Sequence, residues 1–253
     1  MNSIRFRRAF SAGTILAFSM ALSTSAQVAQ TVKARKPVVI ADGSQNLSAL
    51  QPHEFRQDGN GWSIDVKYPE LIDAARFNLV IRRKLDSMVK GLKRGLPPET
   101  ADKDYPDYGS YLSGIYEAQV LRNGVVSILF DYSIYVSGAA HPGGELASLN
   151  YDSGSHRLLA LSDLFRPKSP YLSRLSEIVV QSLEHNEYAD TFAIHHGAGP
   201  MESNFKVFTL TDTELVLHFQ TYQVAAGAAG PQQVVIPLSS LTGLLRQRFL
   251  PEP

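Results

Sequence analysis

The sequence predicts an α+β fold: antiparallel β-sheets built from hairpins, with two long helices and a short C-terminal helix packed on the sheet. Three observations carry this. Two β-rich runs, residues 111–121 and 125–136, meet at Arg122-Asn123-Gly124, and Asn-Gly between such runs is the mark of a type I′ hairpin. Two long segments, 71–93 and 170–187, repeat apolar residues at i+3 and i+4. Strand signals follow one another in hairpins instead of alternating with helices as βαβ units would.

The chain opens with what reads as a signal peptide over residues 1–26. Arg5, Arg7 and Arg8 make a basic start, 9–22 is apolar and rich in small residues, and Thr24-Ser25-Ala26 is a cleavage site. The apolar run is about 14 residues against the ~20 a bilayer span needs, so no mature membrane span is expected. Cleavage near Ala26 makes the expected location periplasmic or secreted. It also removes three Arg and no acid, turning a balance of 24 basic and 24 acidic residues into a net −3. A mildly acidic chain does not fit a nucleic-acid binder. Zero cysteines exclude disulfides, thiolate zinc sites and cysteine nucleophiles, and export without cysteine fits a bacterial envelope.

Residues 27–60 read as a flexible linker with one short strand at 38–40. Trp62, Ile64, Val66 and Tyr68 then alternate with polar residues, as a half-buried strand requires. In 71–93 the residues Ala74, Phe77, Ile81, Leu85, Met88 and Leu92 form one helical stripe, stopped by Gly95 and Pro97-Pro98. The opposite face carries Arg76, Arg83, Lys90 and Arg94, with Arg82, Lys84 and Lys93 on its flanks. Such a stripe is either a solvated face or a patch for anionic envelope polymers or lipid headgroups. Residues 94–110 form a loop.

In the second strand of the central hairpin, Val126, Ile128, Phe130, Tyr132, Ile134 and Val136 share the core face. The loop 138–144 leads to strands at 145–151 and 156–160. Ser169 and Pro170 start the second helix, 188–203 is irregular, and a hairpin spans 205–210 and 214–222. The loop 225–230, a strand at 232–236 and a closing helix over 239–248 complete the chain. The N-terminal half is 61–110 and the C-terminal half 111–250, together one compact unit over 61–250.

Phosphate loops, nucleophile elbows and helical metal motifs are missing from the sequence. No cofactor, metal ligand or catalytic residue is assigned. His185 with Glu184, Glu187 and Asp190 lacks i,i+4 ligand spacing, and adjacent His195 and His196 point apart. Glu117 and Asp131 lie on neighbouring strands of one hairpin, a pair that either faces solvent or serves glycoside hydrolysis. Ser155 fits turn chemistry. Asn78 falls in the apolar stripe of its helix and either binds a neighbouring backbone group or contacts a ligand. His141, between small residues and Pro142-Gly143-Gly144, either holds its loop or makes a polar contact in a cleft.

Four motifs in order resemble one family. They are Tyr68-Pro69-Glu70 with Asn78; Tyr135 with Ser137-Gly138-Ala139-Ala140-His141; Asn150-Tyr151-Asp152 with Gly154 and Leu161–Phe165; and Tyr222-Gln223-Val224-Ala225 with Gly230 and Val235-Ile236-Pro237. The family is the RsiV/PdaC-type extracytoplasmic domain (domain of unknown function 3298), exported bacterial domains found in a lysozyme-sensing anti-sigma factor and beside a peptidoglycan deacetylase. The resemblance divides the chain into a PdaC-like half, 61–110, and an RsiV-like half, 111–250. It implies a binding module for a lysozyme-like protein or cell-wall glycan, with Asn78, Tyr135, Gly138, His141, Tyr222 and Gly230 as its binding residues. Ala226-Gly227 replaces the family's common Pro-Tyr pair, removing an aromatic from that loop. The alternatives are an envelope glycan hydrolase using an acid pair and a lysozyme inhibitor.

Overall fold

The computed structural model describes residues 38–41, 50–96, 109–184 and 190–251. The expected signal peptide, most of the 27–49 segment, residues 97–108 of the first loop, and His185 lie outside the described residues. Those that are described belong to one unit, Arg35–Pro253. No helix among them is long and apolar enough to cross a membrane.

The larger sheet contains β1 (Val38–Ala41), β2 (Leu50–Gly59), β3 (Trp62–Leu71), β4 (Ser110–Val120), β5 (Val125–Tyr135), β6 (Gly143–Asp152) and β7 (Arg157–Leu158). Its order is β2-β3-β4-β5-β6-β7, with β1 also paired to β4. Helix α1 (Ala75–Gly95) covers one face. Phe77, Ile81, Leu85 and Leu92 bury their side chains against Ile64, Val66, Leu112, Tyr116, Ile128 and Phe130. Each such side chain stabilises the fold by about 1.5–3 kcal/mol. Gly114 is needed where it stands, because a Cβ there would lie 2.7 Å from the Tyr132 ring.

The second sheet, ordered β10-β9-β8, is formed by β8 (Val207–Leu210), β9 (Glu214–Phe219) and β10 (Gln232–Pro237). With α2 (Tyr171–Glu184) and α3 (Thr191–Gly197) it encloses its own core, to which Leu175, Val179, Leu183, Ile194, Leu215, Leu217 and Phe219 contribute. The molecule is therefore α+β, as expected, with two cores in place of one.

Several elements depart from the sequence reading. β2 is not linker: all ten of its residues pair with β3, from Leu50↔Leu71 to Gly59↔Trp62. Pro52 and a run of polar side chains hid it, and these are the features of an edge strand, which β2 is. β3, α1 and β4 form a βαβ unit, with β3 parallel to β4 from Trp62↔Ser110 to Val66↔Gly114; the sheet is mixed, and hairpins do not account for all of it. α1 begins four residues later than expected because Leu71 closes β3 and Asp73 turns the chain with φ 58°. In the central hairpin only Gly124 is left-handed, and the Gly124 amide donates to the Leu121 carbonyl. This is a three-residue loop and not a type I′ turn. Helix α3 occupies part of the stretch read as irregular; its signal was Asp190, whose side chain caps the Ala193 amide. The closing segment forms two 3₁₀ turns, Leu238–Leu241 and Gln247–Phe249, in place of one α-helix.

Candidate functional site

The register of β4 and β5 runs unbroken from Tyr111↔Tyr135 to Val120↔Val126, and β6 continues it on β5. Successive side chains on a strand point to opposite faces. Leu112, Tyr116, Ile128, Phe130 and Tyr132 therefore meet α1, and burial pushes the Tyr132 phenol far up, with Glu145 adding to the shift. Tyr111, Ser113, Ile115 and Glu117 of β4 lie on the other face. They share it with Leu129, Asp131, Ser133 and Tyr135 of β5.

One end of that helix-free face is covered. Edge strand β8 docks there on polar side chains of the larger sheet. The Phe208 amide donates to Ser148 Oγ at 2.9 Å, Asn150 Nδ2 to the Phe208 carbonyl at 2.9 Å, and the Leu210 amide to Ser127 Oγ at 2.8 Å. Ser127 Oγ in turn donates to Asn150 Oδ1 at 2.7 Å. Ser127 is buried for this reason.

The rest of the face mixes tyrosines, serines and two acids with Ile115 and Leu129, and among the described residues these side chains are half-buried except for exposed Asp131. The Tyr111 and Tyr135 rings lie 5.9 Å apart, and Tyr111 Oη is 3.4 Å from Ser133 Oγ. Asp131 is exposed and Glu117 half-buried. Asp131 faces Ile115 and Glu117 faces Leu129, so the two acids are diagonal neighbours. Such neighbours sit about 7–8 Å apart.

The six residues implied as binding residues fall into three places. Tyr135, Gly138 and His141 sit together where β5 passes into β6; Gly138 is left-handed with φ 91°, and His141 is exposed, its Nδ1 3.0 Å from the Pro142 carbonyl. Tyr222 and Gly230 belong to the turn after β9. That turn is tied to β6 by Gln220, whose amide accepts from the Leu146 N–H at 2.9 Å and donates to its carbonyl at 2.6 Å. Asn78 lies elsewhere. Its Oδ1 accepts from the Leu71 amide at 2.8 Å and its Nδ2 donates to the Leu71 carbonyl at 3.0 Å, fastening α1 to the end of β3. The start of α1 packs Phe77 on Tyr151, the partner of Val126, while its end, Gly95, lies against Val136. Asn78 and His141 thus occupy opposite ends of the sheet and do not share a cleft.

Tyr222 is 67% exposed, and its backbone is left-handed with φ 70°. A bulky residue is strained there. Two glutamines hold the turn. Gln220 grips β6, and Gln223 Nε2 donates to the carbonyls of Gly197 and Asn204 at 3.0 and 2.9 Å. A Cβ on Gly227 would lie 2.1 Å from Tyr222 Cζ, so the glycine that replaces the family's aromatic makes room for the Tyr222 ring. The loop keeps an exposed aromatic in Tyr222 itself.

The remaining motif residues are structural. Asp152, 1% exposed, takes two bonds from Arg248, one at 2.7 Å, and others from Ser155 Oγ and the Gly154 amide. The Arg248 guanidinium chiefly holds the Asp152 carboxyl far below the ordinary carboxylate range. His195 lies 3.5 Å from Glu184, and His196 stacks on Phe192. Among the described residues no group of three or more His, Asp or Glu is placed to hold a metal ion. Tyr111 and Ser113 were not singled out in the sequence, although strand alternation puts them opposite the core face.

Residues 162–239 match the family described as "Protein of unknown function (DUF3298)". The peptidoglycan-N-acetylmuramic acid deacetylase PdaC of Bacillus subtilis (strain 168) is 27% identical over 195 residues, covering 76% of this chain and 41% of that protein. The chain thus spans less than half the length of this relative. Two solved DUF3298 family proteins are similar in fold. The one from Pseudomonas aeruginosa PAO1 has a TM-score of 0.53 at 16% identity, covering 81% of this chain and 98% of the other. That from Bacteroides fragilis NCTC 9343 has a TM-score of 0.56 at 18% identity, covering 79% and 95%.

Proposed function

Since this chain carries a PdaC-like DUF3298 domain, we propose that it is an exported cell-envelope binding module whose ligand is a lysozyme-like protein or cell-wall glycan. The observation that carries this reading is the helix-free face, where the Tyr111–Tyr135 pair, Ser133, Asp131 and Glu117 lie between the docked β8 and the loop holding Gly138 and His141. A surface of half-buried tyrosines and short polar side chains suits recognition, in which aromatic rings act as anchors. Lysozymes of the animal type are basic, and Asp131 and Glu117 supply opposite charge. Tyr222, exposed on a turn that Gln220 ties to β6, offers a further aromatic contact.

Calorimetric titration with an animal-type lysozyme and with soluble muropeptides tests the reading. Heat of binding with one of them supports it; no heat with either removes it. An inhibition assay on the lysozyme separates a module that blocks the lysozyme's cleft from one that only docks.

A hydrolase reading rests on Glu117 and Asp131 sharing one face of the β4–β5 pair as diagonal neighbours, since glycosidases work with two carboxyl groups. It requires turnover of purified peptidoglycan that collapses in Glu117→Gln or Asp131→Asn.

A further inference from the structure

Helix α1 concentrates positive charge. Between Ala75 and Gly95 it carries seven basic side chains and one acid, Asp86, in a chain whose 24 basic and 24 acidic residues cancel overall. Some of the seven are engaged within the fold. Arg82 pairs with Glu70, Lys84 with Glu145, and Lys93 lies 4.9 Å over the Trp62 ring while reaching Gln57.

The others form a line. Arg76, Arg83 and Lys90 recur every seven residues, Arg94 follows four later, and all are exposed. At 3.6 residues per turn this line lies opposite the buried Phe77, Ile81, Leu85 and Leu92. Leu79, 45% exposed, falls beside this line, and Ile72, 50% exposed, lies in the turn that leads into the helix. The stripe stands on the side of the sheet away from the tyrosine face.

We propose that the outer face of α1 docks the protein on an anionic lipid bilayer. A row of cations along about 27 Å of one helix matches a flat anionic surface and not a pocket-sized ligand. Ile72 and Leu79 select the bilayer over a soluble polyanion, because apolar side chains gain by entering the headgroup region and gain nothing from a hydrated polymer. Docking by this face leaves the helix-free face turned outward, and it does not depend on what that face binds.

The test is partitioning of the full chain onto vesicles of phosphatidylcholine alone or with one third phosphatidylglycerol. The quantity read is the ratio of the two partition coefficients, which cancels hydrophobic association indifferent to charge. The expected ratio is on the order of a thousand at low salt, and it falls as salt rises. Neutralising Arg76, Arg83 and Lys90 to Gln lowers it on the order of a hundredfold, and Leu79→Ser weakens binding severalfold. A control that neutralises Lys168, Arg174 and Lys206 removes the same net charge and leaves the ratio within a few fold of the parent. A ratio near one, or an equal loss in the control, overturns the proposal. Binding to soluble polyphosphate without binding to anionic vesicles overturns the choice of occupant.

Discussion

Asn150 Nδ2 donates to the Phe208 carbonyl at 2.9 Å across the gap between the two sheets, and Asn150 is only 3% exposed. Its Oδ1 accepts from Ser127 Oγ, which itself accepts from the Leu210 amide. One side-chain amide and two hydroxyls, those of Ser127 and Ser148, thus satisfy an edge strand that would otherwise bury open backbone groups. Asn150→Ala leaves the Phe208 carbonyl and Ser127 without these partners, and a loss of about 2–3 kcal/mol is expected from urea unfolding.

Asp152 and Arg248 lock the C-terminal segment to the central hairpin, since Arg248 also donates to the Asn123 carbonyl. Arg248→Ala strands a buried carboxylate and is expected to cost about 3 kcal/mol. Adding Asp152→Asn recovers part of that loss. The folded Asp152 pKa lies below its unfolded value, so this stabilisation is present above the usual carboxylate range and lost as pH falls below it. Acid titration of unfolding free energy in the parent and the double variant checks the sign.

His218 behaves oppositely in charge but alike in direction. Buried on β9, with Nε2 2.8 Å from Thr209 Oγ1, it has its pKa pushed down to about 4 by burial. It is neutral in the fold, whereas the unfolded chain takes up a proton below about 6.5. Stability should therefore drop between pH 6.5 and about 4, by up to about 3 kcal/mol. His218→Gln should flatten that part of the stability–pH curve.

Tyr222 separates stability from recognition. Replacing it with Gly relieves a left-handed backbone and is expected to raise stability by about 1 kcal/mol. The same variant should weaken ligand binding tenfold or more. Thermal melts and calorimetry on one preparation read both effects. A drop in stability with unchanged affinity would make Tyr222 a packing residue.

Much of this architecture was legible because hydrophobic period and face are local properties. The alternation from Val126 to Val136 and the stripe from Phe77 to Leu92 each named their buried side correctly. The edge strand β2 escaped because its polar side chains carry no inward pattern, and the second core because nothing local says which strands share a sheet. The site was harder still. Asn78 admitted either a backbone bond or a ligand contact from sequence alone, and the first holds, with its amide spent on Leu71, seven residues away. Asn150 and Asp152 stand in a conspicuous motif, but what they bind is 58 and 96 residues distant. The helix-free face could be read only once register placed Tyr111 beside Tyr135.

Oxidative side-chain footprinting with saturating lysozyme or muropeptide addresses the binding face most directly. Marked protection of Tyr111, Tyr135 and Tyr222, with Arg76 and Lys90 of α1 left as accessible as in the free protein, is the outcome this account requires. Tyrosines that stay equally reactive while a bound ligand shields other parts of the surface would contradict it.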